Sequence, residues 1–344
     1  MTRLSAITRI LATAGAVAFA APAFAADEVN IYSYRQPELI APLLERFEEE
    51  TGIQTNVLFL DKGLVERIQA EGVNSPVDVI LTVDIGRLTE AKEGGVTQPV
   101  ESELINADIP EQYRDEDGEW FALTKRGRVV YASKDRVGDI PITYEELADP
   151  KWKGAICIRD GQHPYNIALI ASMIAHHGTE YTEEWLRGFK ANLARKPNGN
   201  DRGQAKAIMS GECDIALGNT YYVGLMMTND KEPEQKDWAA AITVLFPNAD
   251  DRGTHVNISG MAMAKNAPHP DTALKLMEFL ASPEAQEIYA EQVFEYPVLP
   301  GAEASEIVQS FGEINPDTLP LSEVATHRKE ASELVDKVRF NDGP

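Results

Sequence analysis

The feature that most constrains the fold is a repeated alternation of short apolar strand patterns with amphipathic helical ones. Val29–Tyr34 is a strand pattern, and beyond Pro37 the apolar residues Ile40, Leu43, Leu44 and Phe47 recur at helical spacing up to Gly52. Ile53–Leu60 returns to strand, Leu64–Ala70 to helix and Val77–Leu81 to a buried strand. Asp84–Glu93 follows as a helix closed by Gly94-Gly95. Strands linked in this way imply a sheet with parallel pairs and helices on both faces. The acidic turn Arg114–Glu119 ends this block, and Trp120–Ser133 reads as extended. A second α/β block then begins, with a helix within Ile140–Ala148, a strand at Ala155–Ile158 and a helix at Asn166–His176. Trp185–Ala194 and Gly203–Ser210 are helical, and Asp214–Leu217 is a buried strand. Ile242–Phe246 and Val256–Ala264 are strands, Pro270–Ala290 predicts a helical run, and the acidic tail from Ala302 is helical.

The first 25 residues read as an export signal. Arg3 and Arg9 precede the apolar run Ile10–Phe19, and Ala23-Phe24-Ala25 has the small-residue form of a signal-peptidase site. The run is too short for a stable membrane span. The expected location is therefore extracytoplasmic, most simply a bacterial periplasm, and the mature chain is long enough for two domains. The whole chain carries a net charge of −23. Removing two arginines and no acids takes the mature protein to about −25, a balance that disfavours nucleic acid and anionic lipid as partners. Cys157 and Cys213 are the only cysteines. In an oxidising compartment they predict one disulfide, the alternative being two buried thiols.

Three tyrosines suggest chemistry. Tyr221 and Tyr222 follow Gly218-Asn219-Thr220, and Tyr165 lies in the polar segment His163-Pro164-Tyr165-Asn166. A tyrosine pair more often fills a core, with its hydroxyls at a wet edge. The alternative is metal ligation, because a polarising cation displaces the phenolic proton, whose ordinary pKa is about 10. Three phenolates neutralise a trivalent ion, and a hard cation prefers anionic oxygen donors. Within a regular strand Tyr221 and Tyr222 would point to opposite faces, so convergence requires an irregular turn after Asn219.

Four segments carry a family resemblance. Ile31-Tyr32-Ser33-Tyr34-Arg35, Trp120-Phe121-Ala122-Leu123 with Arg128 and Tyr131, Leu280-Ala281-Ser282-Pro283-Glu284-Ala285-Gln286, and Glu295-Tyr296-Pro297-Val298 occur in that order. Together they resemble the periplasmic ferric-iron-binding proteins of ABC importers, with Ser-Pro-Glu-Ala-Gln marking only the wider superfamily. The resemblance implies an α/β, two-lobe periplasmic binding protein of type II, each lobe a mixed sheet flanked by helices, hinged by crossing strands. Residues 26–125 with 257–300 would form the first lobe, and 126–256 with 301–344 the second. It further implies that Tyr165, Tyr221 and Tyr222 ligate Fe3+ as transported cargo. Some members add His-Tyr ligands after the first strand; here Gln36-Pro37 stands in that place. The arginine-glutamine form resembles members that hold a carbonate-like synergistic anion, cradled by Arg35 and Gln36 with added charge from Arg128. Tyr34 is then a packing or supporting residue rather than a direct ligand. His163 reads as a solvated loop residue, and His176-His177 as a helix end. The implied partners are an inner-membrane permease and its ATPase, for a monomeric binding protein.

Two other readings compete. The same fold can bind a polyamine, thiamine or an oxyanion. An exported enzyme is the third, but the chain carries no nucleophile elbow, zincin motif or P-loop, so no catalysis is expected.

Overall fold

A computed structural model describes residues 27–344; the predicted export signal lies outside the described residues. The strands are β1 Glu28–Ser33, β2 Gln54–Phe59, β3 Val79–Thr82, β4 Thr97–Gln98, β5 Phe121–Ser133, β6 Ile156–Cys157, β7 Ile215–Asn219, β8 Ile242–Leu245, β9 Val256–Ala264 and β10 Tyr296–Pro297. Strand order along the main path is β2-β1-β3-β9-β5-β7-β6. β1 pairs in parallel with β2 and β3, whereas β9 runs antiparallel to β3 and β5. On the other side β7 is antiparallel to β5 and parallel to β6. Both halves are therefore mixed sheets flanked by helices, the expected fold class.

β5 joins the halves. Phe121–Gly127 pairs with β9 in the first half, and Arg128–Ala132 pairs with β7 in the second. One hydrogen-bonded strand thus carries the chain across. Separate apolar cores lie on either side. Ile31, Phe47, Ile80, Leu88 and Phe121 belong to the first, and Val130, Tyr144, Trp185, Phe189 and Leu217 to the second. The tail contributes to both: Leu321 and Ala325 enter the first core, while Val324, Leu334 and Val335 enter the second.

Two elements differ from the sequence expectation for local reasons. The 270–290 run is two helices, Pro270–Ala281 and Pro283–Val293. Ser282 sits between them in an extended conformation, as a residue before proline prefers, and its hydroxyl caps the second helix at Ala285 N–H. The Ile140–Ala148 segment contains only the short 3-10 helix Glu145–Ala148. The Gln of the Ser-Pro-Glu-Ala-Gln motif also has a structural use. Gln286 donates to the Leu123 carbonyl at 2.6 Å and accepts from Val298 N–H at 2.9 Å, tying the helix to β5 and to the chain beyond β10.

Cys157 and Cys213 form a disulfide across 56 residues. It fastens β6 to the turn that enters β7. A loop of that length implies about 4 kcal/mol of stabilisation by constraint of the unfolded chain. Replacing both cysteines by alanine is expected to lower the unfolding free energy by an amount of that order, read as a fall in the urea midpoint at an unchanged m value. An unchanged midpoint would mean that the bond contributes nothing to stability.

Candidate metal centre

β7 runs without interruption into the helix Thr220–Met227, so Tyr221 and Tyr222 occupy its first turn. The required irregularity is this strand-to-helix junction. Tyr131 fixes it: its hydroxyl donates to the Asn219 carbonyl, and its ring lies so close to Gly218 that a Cβ there would sit 2.1 Å away. Tyr165 occupies an equivalent place in the first turn of the helix Pro164–His177, with proline at the first position. His163 caps this helix, its Nδ1 accepting from Tyr165 N–H at 3.3 Å while its ring packs edge-on to the Tyr165 ring. His163 is thus packed rather than solvated, because the cap uses its nitrogen. The hydroxyls of Tyr165 and Tyr221 are 3.0 Å apart, and the rings of Tyr221 and Tyr222 lie against each other, tilted by 33° with centroids 4.2 Å apart. All three phenols stand at helix N-termini, where the aligned peptide dipoles favour negative charge.

Burial pushes the phenols of Tyr221 and Tyr222 above their ordinary range, and the neighbouring Tyr165 adds to the shift. Arg126 opposes it at Tyr221, and Arg159 at Tyr222. The guanidiniums of Arg126, Arg128 and Arg159 lie 5.9, 5.9 and 5.3 Å from the Tyr165 ring centroid. Arg202 lies 5.4 Å from the Tyr222 ring. Negative charge developing on this wall is met by cations on several sides.

A buried carboxylate organises that wall. Asp201, fully enclosed, accepts from Arg128 at 2.7 Å, Arg159 at 3.0 Å and the Asn219 N–H at 2.9 Å. Arg128 also donates to the side-chain oxygens of Asn219 at 3.0 Å and Asn166 at 2.7 Å. Asn166 adjoins Tyr165 and Asn219 lies two residues before Tyr221, so Arg128 sets the separation of the two tyrosine-bearing turns. Its Nε has no hydrogen-bond partner among the described residues.

Arg35 is buried and donates through Nη2 to Ser259 and to Glu295, the latter at 3.0 Å. Gln36 is exposed at the N-cap position of the helix Pro37–Thr51, where its side chain makes no capping bond. Tyr34 packs: its hydroxyl accepts from Leu64 N–H at 3.1 Å, and Arg87 covers its ring at 3.7 Å. His176 and His177 end their helix and contact Asp317 and Glu145 separately, at 2.6 and 2.7 Å.

Sequence reasoning passed over Arg126. It is fully buried, donates through Nη1 to Ser259 at 3.1 Å, and has no hydrogen-bond partner for Nε or Nη2. The period-2 alternation of β5 was the available signal, since it places residues 124, 126 and 128 on one face. Among the described residues no group of three or more His, Cys, Asp or Glu is arranged to hold a metal ion. The phenols are the donor set on offer for a hard cation, and the guanidinium beside them, with two nitrogens unpaired, suits an anion.

A family model for bacterial extracellular solute-binding proteins matches residues 74–312. The chain is 44% identical over 314 residues to "Iron uptake protein A1" of Synechocystis sp., covering 90% of this chain and 87% of that one. It is similar to the solved ferric iron-binding protein A of Mannheimia haemolytica in an open conformation, with 48% identity, a TM-score of 0.87 and coverage of 92% and 100%. It is also similar to a Trichodesmium protein solved with iron and citrate ligands, with 42% identity, a TM-score of 0.86 and coverage of 91% and 99%.

Replacing Asp201 by asparagine keeps the shape but leaves two buried guanidiniums without their counter-charge. A loss of about 3–5 kcal/mol is expected, read as a fall of several degrees in the thermal midpoint. A midpoint within about 2 °C of wild type would show that Asp201 does not organise the wall.

Proposed function

The chain belongs to the bacterial extracellular solute-binding protein family, and on that premise we propose that it captures ferric iron through the phenolates of Tyr165, Tyr221 and Tyr222. The observation that carries the proposal is the meeting of three phenols at two helix N-termini, with the Tyr165 and Tyr221 hydroxyls 3.0 Å apart. Three phenolates match the charge of Fe3+ and its hardness. The surrounding arginines favour this reading over a polyamine or thiamine, because an organic cation would face four guanidiniums with its charge spread out rather than concentrated on one centre able to ionise the phenols.

In this reading a carbonate-like synergistic anion completes the iron's surroundings. Arg126 is its principal holder, since two of its buried nitrogens lack partners. We assign Arg35 to the same anion from the first lobe, together with Gln36, which is exposed and next to it in the chain. Arg128 contributes charge while positioning the tyrosine turns. Citrate, present with iron in the Trichodesmium relative, offers the same anionic oxygen chemistry in a larger molecule. The lobes, 26–125 with 257–300 and 126–256 with 301–344, would close about β5 and β9 on the loaded site. The work is capture and release without catalytic turnover, as a monomer in the periplasm, with delivery to a membrane permease and its ATPase.

Adding Fe3+ and bicarbonate to the mature protein is expected to give an orange-red phenolate-to-iron band; a protein that stays colourless sinks the proposal. Phenylalanine at Tyr165, Tyr221 or Tyr222 keeps the ring and removes the ligand atom. Each change is expected to weaken iron binding by more than the 10–100-fold typical of a supporting residue. R126M is expected to weaken binding about tenfold and to abolish its dependence on bicarbonate, whereas an unaltered bicarbonate dependence would assign the anion elsewhere. The raised phenols of Tyr221 and Tyr222 are protonated in the metal-free protein at neutral pH. Metal uptake must therefore displace those protons, and affinity should fall by roughly a hundredfold or more per unit drop in pH. A pH-independent affinity would be incompatible with phenolate ligation.

A further inference from the structure

β5 has a second face. Thr124 and Arg126 reach the buried group formed by Glu295, Ser259 and Arg35. Lys125, between them, points the other way, as strand alternation requires. Its backbone is held on both sides, by Ile258 of β9 and Tyr296 of β10. Its side chain lines a cavity of about 750 Å3 behind the hinge, together with Tyr113, Tyr296, Pro297, Leu299 and Ile314. None of these residues belongs to the tyrosine cluster.

The cavity's chemistry is lopsided. The Lys125 ammonium lies 5.4 Å from the centroid of the Tyr113 ring and has no hydrogen-bond or ion-pair partner among the described residues. Burial pushes its pKa down, and no neighbouring acid opposes the shift. Glu313 is the one acid on the lining; it is exposed and forms no ion pair with Lys125. The Tyr296 hydroxyl is already used, donating to the Gly312 carbonyl at 3.1 Å. A half-buried cation without a counter-charge is costly, and an anion entering from solvent relieves that cost. Gln112 and Gln309 also line the cavity, and the rest of its walls are aromatic rings, prolines, glycines and aliphatic side chains, whose apolar area rewards an apolar ligand body. The volume falls within the range of small-molecule sites.

We propose that this cavity binds a small organic carboxylate, its head on the Lys125 ammonium and its apolar body against Tyr113 and the Pro297–Leu299 segment. An inorganic anion would leave the apolar walls unused, and a neutral ligand would leave the ammonium unpaired.

The test uses benzoate as the probe and benzyl alcohol as its neutral counterpart, titrated into 15N-labelled, metal-free mature protein. Benzoate is expected to cause saturable amide shifts at residues 111–113, 125, 296, 298–299, 301–302 and 309–315, the prolines between them having no amide proton. Benzyl alcohol should bind at least tenfold more weakly. K125M should weaken benzoate at least tenfold, and K125R should restore it to within a few-fold, both variants keeping the wild-type response to Fe3+ as a check on folding. The proposal is overturned if benzoate gives no saturable shift, or shifts confined to the tyrosine cluster. Equal binding of benzyl alcohol, or undiminished binding to K125M, overturns it as well. The wild-type comparison of the two probes decides the matter even if K125M fails to fold.

Discussion

A fully enclosed carboxylate, Asp201, is the interaction on which the tyrosine-bearing wall depends. It accepts from Arg128, Arg159 and the backbone of Asn219, and Arg128 in turn reaches the residue beside Tyr165. Two helices that begin far apart in the chain are thereby fixed at one spacing. A buried ion pair is weak evidence for stability, since desolvation offsets much of the attraction. Its value here is geometric: phenols on separate helices meet only if the helix starts are held in register, and apolar packing alone would tolerate a slip.

Local and overall charge have opposite signs in this protein. The chain carries −23 in total, yet the tyrosines are ringed by Arg126, Arg128, Arg159 and Arg202. The acidic exterior draws cations towards the surface, while the arginines make the interior inhospitable to a weakly charged one. Buried phenols resist ionisation. Only a cation polarising enough to displace their protons gains the full donor set, so the raised phenols act as a filter in the proposed function. In that proposal the same arginines compensate the phenolates, and the two unpaired nitrogens of buried Arg126 are left for an anion.

Much of the fold was legible because it rests on periodicity. Strand and helix patterns in the first block correspond closely to β1, β2, β3 and their helices, since the helices bury one apolar stripe each and β3 is a strand buried at every position. The tyrosines were legible as residue types, but their convergence was not. Whether Tyr221 and Tyr222 diverge depends on where β7 ends, and that is set by Tyr131 gripping Asn219 from a distant strand. The helix break at Ser282 was written in Ser-Pro and was overridden by the apolar stripe that continues on both sides of it. His163 looked solvated because a cap is invisible until the helix start is known. The partnering of Arg35 with Glu295 joins residues 260 positions apart, and no local pattern encodes it.

Arg126 and Lys125 show what the strand itself contributes. They are adjacent, both cationic and both largely removed from water, yet they serve different sides of the molecule because a β-strand alternates its faces. β5 cannot turn one of them without turning the other, and its pairing with β9, β7 and β10 prevents any slip of register. A one-residue shift would put the lysine into the tyrosine wall and the arginine behind the hinge. It would exchange a planar donor fork for a point charge beside the phenols, and the proposed oxyanion is matched by the fork. The long hinge strand is therefore more than a connector between lobes. Its register decides which cation faces the site, and that register is secured in both lobes at once, by β9 in the first and β7 in the second.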